Sequence, residues 1–291
     1  MSATRVPDAQ PSTQRKERVN GEPVADAVLY APPPSEPPSL ERCAFYHSID
    51  LPELGEQRGQ WDLRPGVDSY LGPTDFDGLR VLEIGAANGF VTFELERRGA
   101  EVVAVDLPDT ATYDARPSLL ETQDMGAGLR LVRNAFWLGH ALTESSAKVI
   151  YTHVSELPDT IGQFDVAVVA NVLQHLRDPL GALMSVERHA DVIVVTEADW
   201  MAGQHDDVAC MMLFQGTTPY SWFQVKPPLV TAFLGELGFD DQTVSRHEQL
   251  YVEAVDYSRT VPARVETGGV LVPHFTVTAR RRKRGDGRER A

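Results

Sequence analysis

At 291 residues and 42% hydrophobic, the chain can bury one sizeable core, and one elaborated domain is the simplest count. A formal net charge of -15 argues against a broad nucleic-acid-binding surface, which draws affinity from phosphate neutralisation, and tolerates a cationic substrate. No apolar run approaches the roughly 20 residues of a membrane span, and no secretion signal opens the chain, so a cytoplasmic protein without a membrane partner is expected.

Residues 1–41 carry repeated Pro, Ser, Asp and Glu, including Pro32-Pro33-Pro34 and Pro37-Pro38, and are expected to be disordered. Order is expected from 42, near Cys43. There Tyr46-His47-Ser48-Ile49-Asp50-Leu51-Pro52 and Trp61-Asp62-Leu63-Arg64-Pro65 mix aromatic with polar groups. This 42–78 segment suits either a lid over a ligand or a peripheral element covering one sheet face. Cys43 and Cys210 lie far apart without metal-ligand spacing, so neither a disulfide framework nor a metal site is expected.

From Leu79 on, strands and helices alternate as a doubly wound, mostly parallel sheet requires. Strands are predicted at about 80–85, 101–106, 148–153, 164–170, 191–197, 242–246 and 270–279. Helices are predicted at about 89–98, 128–142, 178–189 and 229–237. Residues 198–226 read as a long irregular loop, of a kind that is often functional. The tail 280–291 holds seven basic residues against Asp286 and Glu289 and reads as a solvated terminus.

The most informative stretch is Val81-Leu82-Glu83-Ile84-Gly85-Ala86-Ala87-Asn88-Gly89. An apolar strand enters a turn where Gly85 and Gly89 let the backbone approach a ligand, and a second strand, Val102 to Val105, ends in Asp106. A carboxylate there can accept both hydroxyls of a ribose. A dinucleotide fingerprint would read G-x-G-x-x-G. Here the spacing is G-x-x-x-G, and Glu83 beside it would repel a pyrophosphate but suits an ammonium and a sulfonium. Tight packing alone can also explain such glycines; the acid at the second strand end argues for the pocket.

Together these residues resemble motifs I and II of class I S-adenosylmethionine-dependent methyltransferases. The resemblance implies a Rossmann-like α/β fold with seven strands, the last antiparallel, and S-adenosyl-L-methionine as cofactor. It also implies that Gly85, Ala86 and Gly89 shape the methionine side of the pocket, Glu83 supports the ammonium, Asp106 holds the ribose and Leu107 packs on adenine. After the third strand, Val154 offers its backbone amide to adenine, while His153 stands where the family commonly has an acidic or amide residue. After the fourth, Ala170 to Pro179 resembles the signature h-x-x-x-H-h-x-D-P. Asn171 then lies at the strand end nearest the methyl group, and His175 is a candidate general base. Alternatively, His175 ties down the loop before the Asp178-Pro179 helix start.

Methyl transfer needs an aligned nucleophile and sometimes a proton acceptor, and no metal is obligatory. Candidate substrate-binding residues are Tyr46, His47, Trp61, Trp200, Tyr220, Trp222 and His274, with Asp199, His205, Phe214 and Phe223 in the same overhanging loop region. Most of residues 43 to 280, including Tyr46 to Pro52, Trp61 to Arg64, Phe223 to Pro227 and Leu234 to Phe239, are also similar to the bacterial group that includes tRNA wobble-uridine carboxymethyl transferases and uncharacterised relatives. In those enzymes a tyrosine precedes the histidine after strand four, where this chain has Gln174. The expectation is methyl transfer to an O or N atom of a small molecule, a natural-product or sugar intermediate, with a homodimer as a candidate assembly. A tRNA-modifying transferase and a non-catalytic cofactor-binding protein are the rival classes.

Overall fold

The computed structural model describes residues 29–108, 114, 125–214, 221–256 and 263–282, with backbone only for Met125, 253–256 and 263–268. In chain order, strands β1 (Ile49–Leu51) and β2 (Gly55–Gln57) make a small hairpin, followed by β3 (Trp61–Asp62) and the short helix α1 (Val67–Leu71). The alternating core comprises β4 (Arg80–Ile84), α2 (Phe90–Arg97), β5 (Glu101–Asp106), α3 (Met125–Leu142), β6 (Lys148–Tyr151), β7 (Phe164–Ala170), α4 (Pro179–Glu187) and β8 (Ala190–Ala198). Then come β9 (Met211–Leu213), β10 (Phe223–Val225), α5 (Pro227–Glu236) and the long strands β11 (Asp241–Asp256) and β12 (Ala263–Arg280).

The main sheet has eight strands in the order β3-β11-β12-β8-β7-β4-β5-β6. Strands β4 to β8 pair in parallel, whereas β12 is antiparallel to both β8 and β11. Seven of the eight are the expected strands. The eighth, β3, pairs Trp61 with Tyr251 and Asp62 with Leu250 at the open edge, and two residues are too few to show an alternation. The expected irregular loop 198–226 also contains structure, since β9 and β10 pair antiparallel, Met212 opposite Gln224.

Apolar runs in β4, β5, β7 and β8 reflect burial on both faces. Alternation of side chains sends Val81, Val102, Val166, Val168 and Val194 to the face covered by α1, α2 and α3, with Leu95, Phe136 and Trp137. Leu82, Val103, Ala167, Ile193 and Val195 face α4 and α5, with Leu183, Val186, Val230 and Leu234. At the start of α4, Asp178 Oδ1 accepts the Gly181 amide at 2.8 Å and Pro179 takes the first helical position, as that dipeptide requires.

Chain is already docked ahead of position 42, because the Ala31 amide donates to the Val149 carbonyl at 2.8 Å beside the edge strand β6. Residues 1–28, Tyr220 and the tail from Lys283 onward lie outside the described residues. Among the described residues, no helix is long and apolar enough to cross a membrane.

Candidate functional site

The carboxyl ends of β4, β5, β7 and β8 lie side by side, where open α/β sheets hold their ligands. Beyond β4 the chain turns through Gly85 (φ 83°), Ala87 (φ 48°) and Gly89 (φ 86°) into α2. These left-handed conformations suit glycine. Space requires it too, since a Cβ on Gly85 would stand 2.7 Å from Val172 Cγ2 and one on Gly89 would stand 2.6 Å from the Phe93 ring. Backbone bonds from the Gly85 amide (2.8 Å) and the Ala86 amide (3.3 Å) to the Val105 carbonyl fasten the turn to β5.

Asp106 completes the loop. Its Oδ2 accepts the Ala87 amide at 2.8 Å and its Oδ1 accepts the Leu107 amide at 2.6 Å. Burial raises its pKa, opposed by those two amides and by the Arg133 charge. Each carboxylate oxygen keeps a further lone pair, so the group fits a ligand that presents paired hydroxyls. Arg133 stacks over the Tyr151 ring at 3.8 Å and donates to the Leu107 carbonyl, fixing the other side of this position.

Glu83 is buried on the α2 face of β4 and accepts a hydrogen bond from Thr92 Oγ1. Burial first, then the neighbouring Asp106 and Glu96 charges, push its carboxyl up to about 8. Thr92 is a partner that the motif alone does not show.

Asn88, fully buried, ties the N-terminal segment to the glycine turn. Its Oδ1 accepts the amides of Tyr46 (3.1 Å) and His47 (2.7 Å), and its Nδ2 donates to the His47 carbonyl at 3.1 Å. Arg64 braces the same segment by bridging Asp50, Glu56 and Asp62. Asn88 sits inside the glycine motif, yet its partners are more than forty residues away, so spacing does not reveal the link. Asn88→Ala leaves two buried amides without an acceptor and is expected to cost about 2–4 kcal/mol of stability. It should also expose residues 43–63 to protease. Urea unfolding and limited proteolysis check this, and unchanged behaviour in both would contradict it.

At the end of β7, Asn171 adopts a left-handed conformation (φ 54°) and is 6% exposed. Its Oδ1 accepts the Ala198 amide (2.9 Å), and its Nδ2 reaches the Tyr70 hydroxyl (3.2 Å) and His274 Nε2 (3.3 Å). His274 Nδ1 donates to the Val272 carbonyl at 2.8 Å, so Nε2 is the accepting nitrogen. Both ring nitrogens of His274 are thus engaged within the protein, and burial lowers its pKa to about 4. Trp61 packs edge-on against His274 (5.3 Å) and Tyr251 (4.8 Å), with Trp200, 41% exposed, 6.0 Å away. The His47 ring lies 4.7 Å from Tyr46 and 6.0 Å from Phe90, and burial lowers its pKa to about 3.

Two further candidates, His153 and Trp222, meet at Asp114. His153 caps the turn Val154–Glu156 through its Nδ1 and lies 3.5 Å from Asp114, which pairs with Arg177 at 2.7 Å. Trp222 donates from Nε1 to the Asp114 carbonyl and from its amide to the Gln174 carbonyl at 2.7 Å. Val154 is buried, and half-buried His175 ends the turn Leu173–His175. Asp199 is not open to a ligand; it is the buried partner of Lys226 (2.8 Å).

The structure therefore brings together Gly85, Ala86, Gly89, Asp106 and Leu107 in one group. Tyr46 and His47 adjoin it through Asn88, and Asn171, Trp61, Trp200 and His274 form a second group. His153 and Trp222 belong to a third.

A family model described as a methyltransferase domain matches residues 56–206, just over half of the chain. Magnesium-protoporphyrin O-methyltransferase of Rhodobacter capsulatus is 35% identical over 108 residues, which is 37% of this chain and 38% of that protein. The chain thus spans well under two thirds of that relative's length. Among solved structures, the N-terminal domain of EvdMO1, crystallised in the presence of S-adenosylhomocysteine and D-fucose, aligns with a TM-score of 0.51 at 17% identity. The alignment covers 82% of this chain and 91% of that one. This likeness extends over the fold. With the match across β3 to β8 and the loop geometry above, the chain belongs to the methyltransferase domain family.

Proposed function

We propose that the protein transfers a methyl group from S-adenosyl-L-methionine to an O or N atom of a small molecule and releases S-adenosylhomocysteine. The observation that carries this reading is the closure of the glycine turn on Asp106 by the Ala87 amide at 2.8 Å. When bound, the cofactor supplies a sulfonium-activated methyl carbon. Asp106 holds the ribose, Gly85, Ala86 and Gly89 leave the backbone open to the methionine portion, and Glu83 supports the ammonium side. Leu107, His153 and Val154 bound the adenine, and Asn171 borders the methyl group. Trp61, Trp200, Trp222, Tyr46, His47 and His274 line or support the acceptor side and exclude water.

His175 takes the acceptor's proton on an imidazole nitrogen. His175→Ala is expected to lower turnover roughly 10²-fold while leaving cofactor affinity unchanged. Near-normal turnover would make it a loop residue only. The acceptor class is found by incubating the protein with methyl-labelled cofactor and a fractionated cell extract. Label in the small-molecule fraction supports the reading, and label in RNA overturns it.

The finer similarity to carboxymethyl transferases concerns Gln174, where that group has a tyrosine. Gln174 is 6% exposed and its carbonyl holds the Trp222 amide. The net charge of -15 also disfavours RNA. Both features favour the unmodified cofactor and a small acceptor.

A further inference from the structure

Glu197, at the end of β8, is fully buried. Its Oε1 accepts two consecutive amides, Val172 at 2.9 Å and Leu173 at 2.7 Å. Those amides follow directly on Asn171, whose own amide donates to the Thr196 carbonyl at 2.6 Å and whose side chain accepts the Ala198 amide. The turn after β7 is therefore pinned on both sides of Glu197. Its product is the position of Val172, whose Cγ2 lies directly over Gly85, 2.7 Å from where a Cβ would be. Gly85 is the first residue of the turn that closes on Asp106.

The geometry points to Glu197 as a positioning residue for the cofactor pocket: its carboxylate sets the Asn171–Leu173 turn and so seats Val172 on the glycine loop. This rests on the cofactor reading above. A buried carboxyl in this role is costly unless donors surround it, and burial pushes its pKa up to about 8 against the bonds from the turn amides. Its second oxygen, Oε2, has no protein partner among the described residues, so the stabilising contacts are those made to the turn. Glutamine at this position keeps an acceptor at Oε1, whereas alanine removes it.

The test is calorimetric titration of the full chain with S-adenosylhomocysteine, with thermal melting of each variant. Glu197→Ala is expected to weaken binding about tenfold, because it leaves two buried amides unsatisfied at the pocket wall, while Glu197→Gln stays within about threefold of wild type. Val172→Ala, which leaves the carboxylate bonds in place, is expected to weaken binding about threefold or more on its own. The double variant Glu197→Ala with Val172→Ala is expected to bind no worse than Glu197→Ala, since one residue acts through the other. Wild-type affinity in Glu197→Ala, or in Val172→Ala should Glu197→Ala fail to fold, overturns the proposal. So does a double variant whose loss is the product of the two single losses. A folded wild-type protein that binds no S-adenosylhomocysteine overturns instead the cofactor reading on which the proposal rests.

Discussion

Asp106→Ala raises the dissociation constant for S-adenosylhomocysteine about a hundredfold, the equivalent of two hydrogen bonds to a charged group. Two losses combine. The variant lacks the carboxylate proposed to accept the ribose hydroxyls, and it also releases the Ala87 and Leu107 amides that Oδ2 and Oδ1 hold at 2.8 and 2.6 Å. The Ala87 amide matters most within the protein, because Ala87 sits at φ 48°, a conformation an alanine keeps only when its surroundings enforce it. Asp106→Asn retains one accepting oxygen and should lose only about tenfold. Calorimetry measures both constants, and a melting curve confirms that each variant is folded. An Asp106→Ala affinity within about threefold of wild type would contradict the assignment of this loop.

Lys226→Ala is expected to reduce folding stability by about 3–5 kcal/mol, the scale for breaking a buried ion pair from one side. The Lys226 side chain is 0% exposed and its ammonium donates to Asp199 Oδ1 and Oδ2, Asp206 Oδ1 and the Met201 carbonyl at 2.7 to 3.2 Å. Without it, Asp199 stays buried with Arg246 at 3.3 Å as its remaining charged partner. Loss of this lysine therefore loosens the segment leading from β8 toward β9, which carries Trp200. A double replacement, Lys226→Met with Asp199→Leu, removes both charges and should recover most of the loss. Urea unfolding midpoints decide the matter. A loss below about 1 kcal/mol in Lys226→Ala would show that the pair contributes no more than a surface bridge.

The parts of the fold legible in the sequence are those whose cause is local. Gly85 and Gly89 occupy positions where left-handed backbone and close neighbours both demand glycine, and Asp106 follows an apolar strand, so the motif and its geometry coincide. The parallel core was readable for the same reason, since strands buried on both faces appear as continuous apolar runs. Asn88, Glu197 and Lys226 were not readable, because each is defined by partners far away in the chain. An isolated Lys226 looks like any surface lysine until the fold surrounds it with Asp199 and Asp206. Trp61 was noticed for its chemistry, but its role as an edge strand depends on Tyr251, and a two-residue strand carries no period. His274 is a substrate-binding candidate from the sequence; the fold gives both its nitrogens partners in Val272 and Asn171.

The central claim is that the Gly85–Gly89 turn and Asp106 form a pocket for S-adenosyl-L-methionine. Calorimetric titration of the wild-type chain with S-adenosyl-L-methionine, S-adenosylhomocysteine and carboxy-S-adenosylmethionine tests it most directly. The account predicts saturable binding of the first two at one site per chain, with the carboxylated form weaker. Preference for the carboxylated form would move the chain to carboxymethyl transfer, and a folded protein that binds none of the three would contradict the pocket itself.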